Sequence, residues 1–200
     1  MTHFPIDEPK WQQGVSLDAY LEGMKTYQED MRRRLSEVQL TAADLAQLSS
    51  LPQGLKISAL SEDWCIDCLM TLPIMNLLAE AVPGTELRIF SRGKWPELKE
   101  HYNSRGIMSL PVYSFLGADF GEKAVFIERP QSAHEKIAAW KAAHPEMEEV
   151  RRSFSLSSAE KSARLAKFKL ELQAEMEAWY HDTCQAAMIA EICSALGSAS

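Results

Sequence analysis

The chain has no apolar run of about 20 residues, the length a helix needs to cross a bilayer, and this argues against a membrane span. Met1 to Trp11 carries Asp7, Glu8 and two prolines and has no apolar stretch of the kind that marks a secretion signal. The expected compartment is therefore the cytoplasm. Basic residues are few, 21 Lys and Arg against 28 Asp and Glu, for a net charge of −7. Phosphate backbones are bound by clustered Lys and Arg, so nucleic acid is not an expected partner. Arg32-Arg33-Arg34 is the strongest basic cluster, and on a helix three consecutive side chains point in three directions. Cysteine is sparse too, with four in 200 residues. In a reducing compartment such cysteines are free or catalytic thiols more often than a disulfide framework. No second CxxC, CxxH or HxxxH accompanies Cys65-Ile66-Asp67-Cys68. A tetrahedral zinc site would have to recruit His101 or His134 through the fold, so neither a metal nor another cofactor is expected.

What is present is enough for a core, since 46% of the residues are hydrophobic. From Ser16, a candidate N-cap, Leu17, Tyr20, Leu21, Met24, Tyr27, Met31, Leu35 and Val38 recur at the period of one helical stripe. Thr41 with Asp44 has capping-box spacing and predicts a second, shorter helix with Leu45 and Leu48 on one face, ended by Pro52-Gln53-Gly54. Leu55 to Leu60 reads as a short buried strand, with Leu55, Ile57 and Ala59 on one face. The CxxC stands just beyond it and opens a helical pattern that Pro83-Gly84 stops, with Pro73 inside, where it removes a backbone bond.

Glu86 to Ser91 is the next strand, and Pro96 fits the first position of a helix to Asn103. Val112 to Leu116 and Lys123 to Glu128 form a hairpin with Pro111 at its mouth, and Gln131 to Ala143 is a helix. Glu146 to Glu149 reads as an acidic linker into a long helical region from Ser158 to Leu196, opened by a Ser157/Glu160 capping box. Leu165, Phe168, Leu172, Met176 and Trp179 stripe that region. Cys184 and Cys193 within it fall on opposite faces and cannot pair there, so they read as structural thiols.

The order β-α-β-α-β-β-α, with Trp64-Cys65-Ile66-Asp67-Cys68 at the first strand-to-helix turn, resembles the thioredoxin fold. Pro73 stands eight positions after Cys65, where thioredoxins kink their active-site helix, and Pro111 stands where they carry a cis-proline. More narrowly, SEDWCxDC, PELxxxY (Pro96, Glu97, Leu98, Tyr102) and the SLP before the hairpin resemble a small group of bacterial thioredoxin-like proteins with an acidic CxDC site. The resemblance covers residues 54 to 144. It implies an α/β thioredoxin-like fold, a central mixed sheet flanked by helices, with additional N- and C-terminal helices. The expected domains are a helical arm at 1–53, the thioredoxin-like domain at 54–145 and a helical extension at 146–200. One departure stands out: thioredoxins place a buried aspartate six positions before the first cysteine, and that position here is Ala59. Glu62, Asp63 or Asp67 would have to supply its proton acceptor, or the chemistry would do without one.

The resemblance implies that Cys65 is the nucleophile. A place at the helix N-terminus, where free N–H groups favour a thiolate, agrees with that role. Cys68, one turn in, is expected to be the resolving thiol. Asp67 has two opposed effects, since it suits the helix start but disfavours a second negative charge on Cys65. Glu62 and Asp63 act in the same sense, and the acidic surround is expected to keep the Cys65 pKa nearer neutral than in strongly oxidising relatives. Asp67 could also relay a proton to Cys68. Trp64 is expected to cover the cysteines or to pack in the core. The resemblance further implies that cis-Pro111 holds the Leu110 backbone beside the sulfurs for a substrate chain.

The function expected is a thiol-disulfide oxidoreductase, a reductant, with Cys65 and Cys68 as its redox centre. Its partners would be protein or low-molecular-weight disulfides and an electron donor, a reductase or a small thiol. Two other readings stay open: a thioredoxin-fold binding module without turnover, and a glutathione-transferase-like thiol enzyme with a following helical domain. The arms Leu17 to Val38 and Leu165 to Leu196 carry more apolar stripe than a surface helix leaves in water. They are expected to cover the core, each other or a second copy in a homodimer.

Overall fold

The computed structural model describes residues 4–198; residues 1–3 and 199–200, the outer ends of the two expected arms, lie outside it. Four strands, β1 (Lys56–Ser61), β2 (Glu86–Ser91), β3 (Val112–Leu116) and β4 (Glu122–Ile127), form one sheet in the order β2-β1-β3-β4. β1 and β2 run parallel, as a helical crossover requires, while β1–β3 and β3–β4 are antiparallel. The result is the mixed sheet flanked by helices that the resemblance implies. β1 and β4 each lie one residue from the range read in the sequence, and β2 and β3 match it.

Among the described residues four helices precede the sheet: α1 (Glu8–Trp11), α2 (Leu17–Gly23), α3 (Gln28–Glu37) and α4 (Ala42–Leu48). Two more are interleaved with it, α5 (Ile66–Ala81) between β1 and β2 and α6 (Pro96–Asn103) between β2 and β3. α5 is apolar on nearly every face, the pattern of a helix with no solvent side, and Asp67 through Met75 are all buried. Pro73 sits inside α5 without ending it. Two buried hydroxyl pairs lock helices to strand β3: Thr71 Oγ1 to Tyr113 Oη at 2.8 Å, and Tyr102 Oη to Ser114 Oγ at 2.7 Å.

The leading arm is built onto the sheet. Val15 exchanges both backbone hydrogen bonds with Ile89 at the free edge of β2, and Trp11, fully buried, meets Phe90 and Phe120. Its stripe residues Leu17, Met24, Met31 and Val38 are buried. The single helix read from Leu17 to Val38 is in fact α2 and α3, broken at residues 24–27. The break is held by polar groups that periodicity does not register. The Asp63 carboxylate accepts from the backbone N–H of Lys25 (2.7 Å) and Thr26 (3.3 Å), the Gln28 side chain donates to Leu21 O, and Tyr27 takes a left-handed φ of 57°. The Thr41/Asp44 capping box forms as read, but Leu45 is half exposed while Leu48 is buried.

Pro130–Ala187 is a separate compact unit; the chain up to Arg129 and from Met188 onward makes the other. The separate unit holds α7 (Gln131–Ala143), α8 (Pro145–Arg152) and α9 (Ser158–Trp179), with the Ser157/Glu160 capping box formed at its start. The acidic linker read at Glu146 to Glu149 is the first part of α8. Pro145 opens that helix, Glu146 and Glu148 sit at its positive end, and Arg151 and Arg152 at its negative end, so the charges complement the dipole. The long helix read to Leu196 is interrupted by a π-helical turn, Tyr180–Cys184, before α10 (Gln185–Gly197). Cys184 is buried and Cys193 half-buried, both as free thiols. Among the described residues no helix is long and apolar enough to cross a membrane.

The seat of the leading arm depends on Gly14. A Cβ there would lie 2.5 Å from Phe90 Cζ and 2.9 Å from Arg88 Cβ. Gly14→Ala is expected to cost about 1–3 kcal/mol through overpacking, read as a lower urea midpoint at unchanged slope.

Candidate active site

β1 delivers the chain to the site and α5 begins there. Cys65 is the N-cap of α5: its backbone is extended (φ −86°, ψ 119°) and its sulfur accepts a hydrogen bond from the Cys68 N–H at 3.4 Å. A sulfur thus stands where helices usually place a Ser, Thr, Asp or Asn oxygen. Cys65 is half-buried and Cys68 buried, both as free thiols. Hydrogen bonding from the Cys68 side chain lowers the Cys65 pKa, with the Cys68 N–H adding to it; burial and the Asp67 charge oppose this less strongly. Burial pushes the Cys68 thiol well up, and the bond to Cys65 and its charge push it further. The two thiols are therefore driven apart, one toward the thiolate and one toward the protonated form.

The Leu110–Pro111 peptide is cis, and the Cys65 thiol meets the Leu110 carbonyl at 3.4 Å. From there a set of contacts returns to α5. Pro111 O accepts from the Glu128 N–H at 2.7 Å, and the Glu128 carboxylate pairs with Arg129. Arg129 grips Asp67 with two nitrogens, Nε to Oδ1 at 2.7 Å and Nη2 to Oδ2. The Asp67 side chain is only 6% exposed and that of Arg129 14%, so this is a buried, two-pronged ion pair.

A family model described as thioredoxin matches residues 14–146. The chain belongs to the thioredoxin family. Among solved structures, it is similar to a Pseudomonas aeruginosa protein of unknown function, at 19% identity and a TM-score of 0.65, covering 98% of this chain and 99% of that one. It is also similar to an HIV epitope-scaffold, at 17% identity and a TM-score of 0.62, covering 95% of this chain and 96% of that one. At these identities the likeness speaks for the fold alone. No curated protein matches the chain.

Of the residues singled out in the sequence, this thioredoxin-family chain brings Cys65, Cys68, Asp67, Leu110 and Pro111 together. Trp64 is 56% exposed and so is not a core aromatic. Asp63 and Glu62 are engaged elsewhere: Asp63 holds the α2–α3 break, and Glu62 accepts from Ser91 Oγ and the Gly93 N–H. His101 packs against Phe4 and Tyr102 and bonds Arg105. Among the described residues no group of three His, Cys, Asp or Glu is arranged to hold a metal.

Arg129 was not singled out. The hairpin register held the signal, because Val112 pairs with Ile127 and so sets residue 129 beside the Leu110–Pro111 turn. Opposite shifts should follow from the two halves of the ion pair. Asp67→Asn removes the charge that opposes a Cys65 thiolate and should lower the Cys65 pKa. Arg129→Met uncovers that charge and should raise it. The rate of iodoacetamide alkylation of Cys65 against pH reads both, and shifts of the same sign would contradict the assignment.

Proposed function

We propose that this thioredoxin-family chain is a thiol-disulfide oxidoreductase that works as a reductant, with the Cys65–Cys68 dithiol as its own redox centre. The observation that carries the reading is the split between the two thiols of one helical turn. Cys65 is capped by N–H and half-buried, while Cys68 is buried behind it, where burial favours its protonated form. A half-exposed thiolate at a helix start is the group that attacks a disulfide sulfur, and a buried thiol three residues on is within reach of the resulting mixed disulfide. Leu110, its carbonyl facing Cys65, is the backbone against which a substrate chain would lie, held there by Pro111. Trp64 and Met108, both largely exposed, offer apolar surface for such a chain.

The substrates on this reading are protein or low-molecular-weight disulfides, and the dithiol is restored by a reductase or a small thiol. The Asp67 carboxylate keeps the thiolate from being stabilised to the degree that would favour an oxidant, and Arg129 limits that effect. The test is reduction of insulin disulfides with dithiothreitol as donor. The native chain should accelerate it, Cys65→Ser should abolish the acceleration, and Cys68→Ser should accumulate a mixed disulfide at Cys65 visible by mass. Activity that survives Cys65→Ser, or a native chain without activity, would overturn the reading. The second result would leave a binding module.

A further inference from the structure

A cavity of about 460 Å³, a volume that suits a small organic ligand, lies wholly within the unit that holds the sheet. Part of its wall is apolar: Val15, Met24, Ile89 and Trp95, the last held edge-on to Phe90 with 4.9 Å between ring centroids. The rest is polar. Tyr20 lines it too, and its hydroxyl lies 3.1 Å from Ser61 Oγ. Glu62, Asp63, Lys25 and Lys94 complete the polar side with two carboxylates and two ammonium groups.

The four charges come as two neighbouring couples that do not neutralise each other. Asp63 Oδ2 accepts from the Lys25 backbone N–H at 2.7 Å, and Glu62 Oε1 accepts at 2.7 Å from the N–H of Gly93, next to Lys94. These bonds fix each carboxylate beside the backbone of a lysine segment. Even so, among the described residues neither ammonium group forms an ion pair, and Asp63 Oδ1 and Glu62 Oε2 accept no hydrogen bond. Both acidic residues are half-buried and both lysines exposed. Two carboxylates alone would suit a cation, and two ammonium groups alone an anion. Both sets around one apolar wall suit a ligand that carries both charges and an apolar body.

We propose that this cavity binds a small zwitterion with apolar side chains, an amino acid or short peptide, whose ammonium meets Glu62 and Asp63 and whose carboxylate meets Lys25 and Lys94. The ligand's side chains lie against Val15, Met24, Ile89 and Trp95. The half-buried carboxylates are held by backbone donors, so they are the pre-formed part of the site, while the lysines are exposed and hold the other end of the ligand. Charge pairs at that exposed end are screened by water and salt, so more of the affinity comes from the ammonium and the apolar contacts. None of the groups involved is a thiol, and the site stands apart from the oxidoreductase reading.

Isothermal titration calorimetry of the reduced native chain with L-leucyl-L-leucine tests the proposal, and saturable one-to-one binding is expected. N-acetyl-L-leucyl-L-leucine lacks the ammonium and should bind about tenfold more weakly, as the loss of a charged hydrogen bond implies. L-leucyl-L-leucinamide lacks the carboxylate and should bind about threefold more weakly, the size of an exposed charge pair. Lys25→Met and Lys94→Met, which remove exposed side chains, should each weaken the dipeptide by a similar factor. Glycylglycine leaves the apolar wall bare and should bind at least about tenfold more weakly. L-leucine, titrated beside the dipeptide, decides which member of the class fills the cavity. No saturation below about 10 mM by either ligand would overturn the proposal. So would an acetylated, amidated or side-chain-free peptide that binds as tightly as L-leucyl-L-leucine, or unchanged affinity in both lysine variants. A native chain that binds the dipeptide without reducing insulin would remove the oxidoreductase reading alone, and one that reduces insulin without binding either ligand would remove this site alone.

Discussion

The candidate site depends on one hydrogen bond, from the Cys68 N–H to the Cys65 sulfur at the first turn of α5. A helix start leaves N–H groups without partners and carries a partial positive charge. When a side-chain oxygen caps it, the result is structural. Here the cap is a thiol, and the stabilisation that the helix would give any cap becomes stabilisation of a thiolate. The same geometry fixes the inequality of the two cysteines, because the N-cap is at the rim of the helix and the third residue is inside it. Burial then favours the protonated form of Cys68, while the cap favours the thiolate of Cys65. The dithiol would be symmetric as a sequence motif; the helix makes it directional.

A second constraint keeps that cap facing the cis-proline turn. The ring of contacts from Cys65 through Leu110, Pro111, Glu128 and Arg129 to Asp67 closes on the helix it started from. A buried ion pair seldom adds net stability, since desolvating both charges offsets much of their attraction. Its contribution here is position: the bidentate grip sets the end of β4 against the first turn of α5, and the β4 end sets Pro111. The same pair moderates the sulfur, because the Asp67 charge acts against the Cys65 thiolate and Arg129 partly cancels it.

Much of this was legible in the chain itself. Strand positions, the thiol pair and both capping boxes follow from local chemistry, in which a few adjacent residue types decide the structure, whereas the cis-proline at Pro111 follows from the family resemblance. What was not legible required a partner distant in sequence. The stripe from Leu17 to Val38 reads as one helix because periodicity counts side chains and not the Asp63 carboxylate that arrives 38 residues later to hold the Lys25 amide. Glu146 to Glu149 reads as linker because acidic residues resemble solvent-exposed loop until Arg151 and Arg152 are placed at the other end of the same helix. Arg129 and the Ser61–Tyr20 contact join segments 62 and 41 residues apart.

On the proposed reading, the Asp67 charge and the burial of Cys68 keep this dithiol in the reducing range against the pull of the helix cap, and its reduction potential tests that most directly. The protein would be equilibrated in graded dithiothreitol or glutathione buffers and its free thiols counted by alkylation. A potential near about −270 mV, in the range of reducing thioredoxins, is the predicted result. A potential near about −120 mV would make the pair an oxidant, and a pair that forms no disulfide in any buffer would not be a redox centre; either would contradict the account.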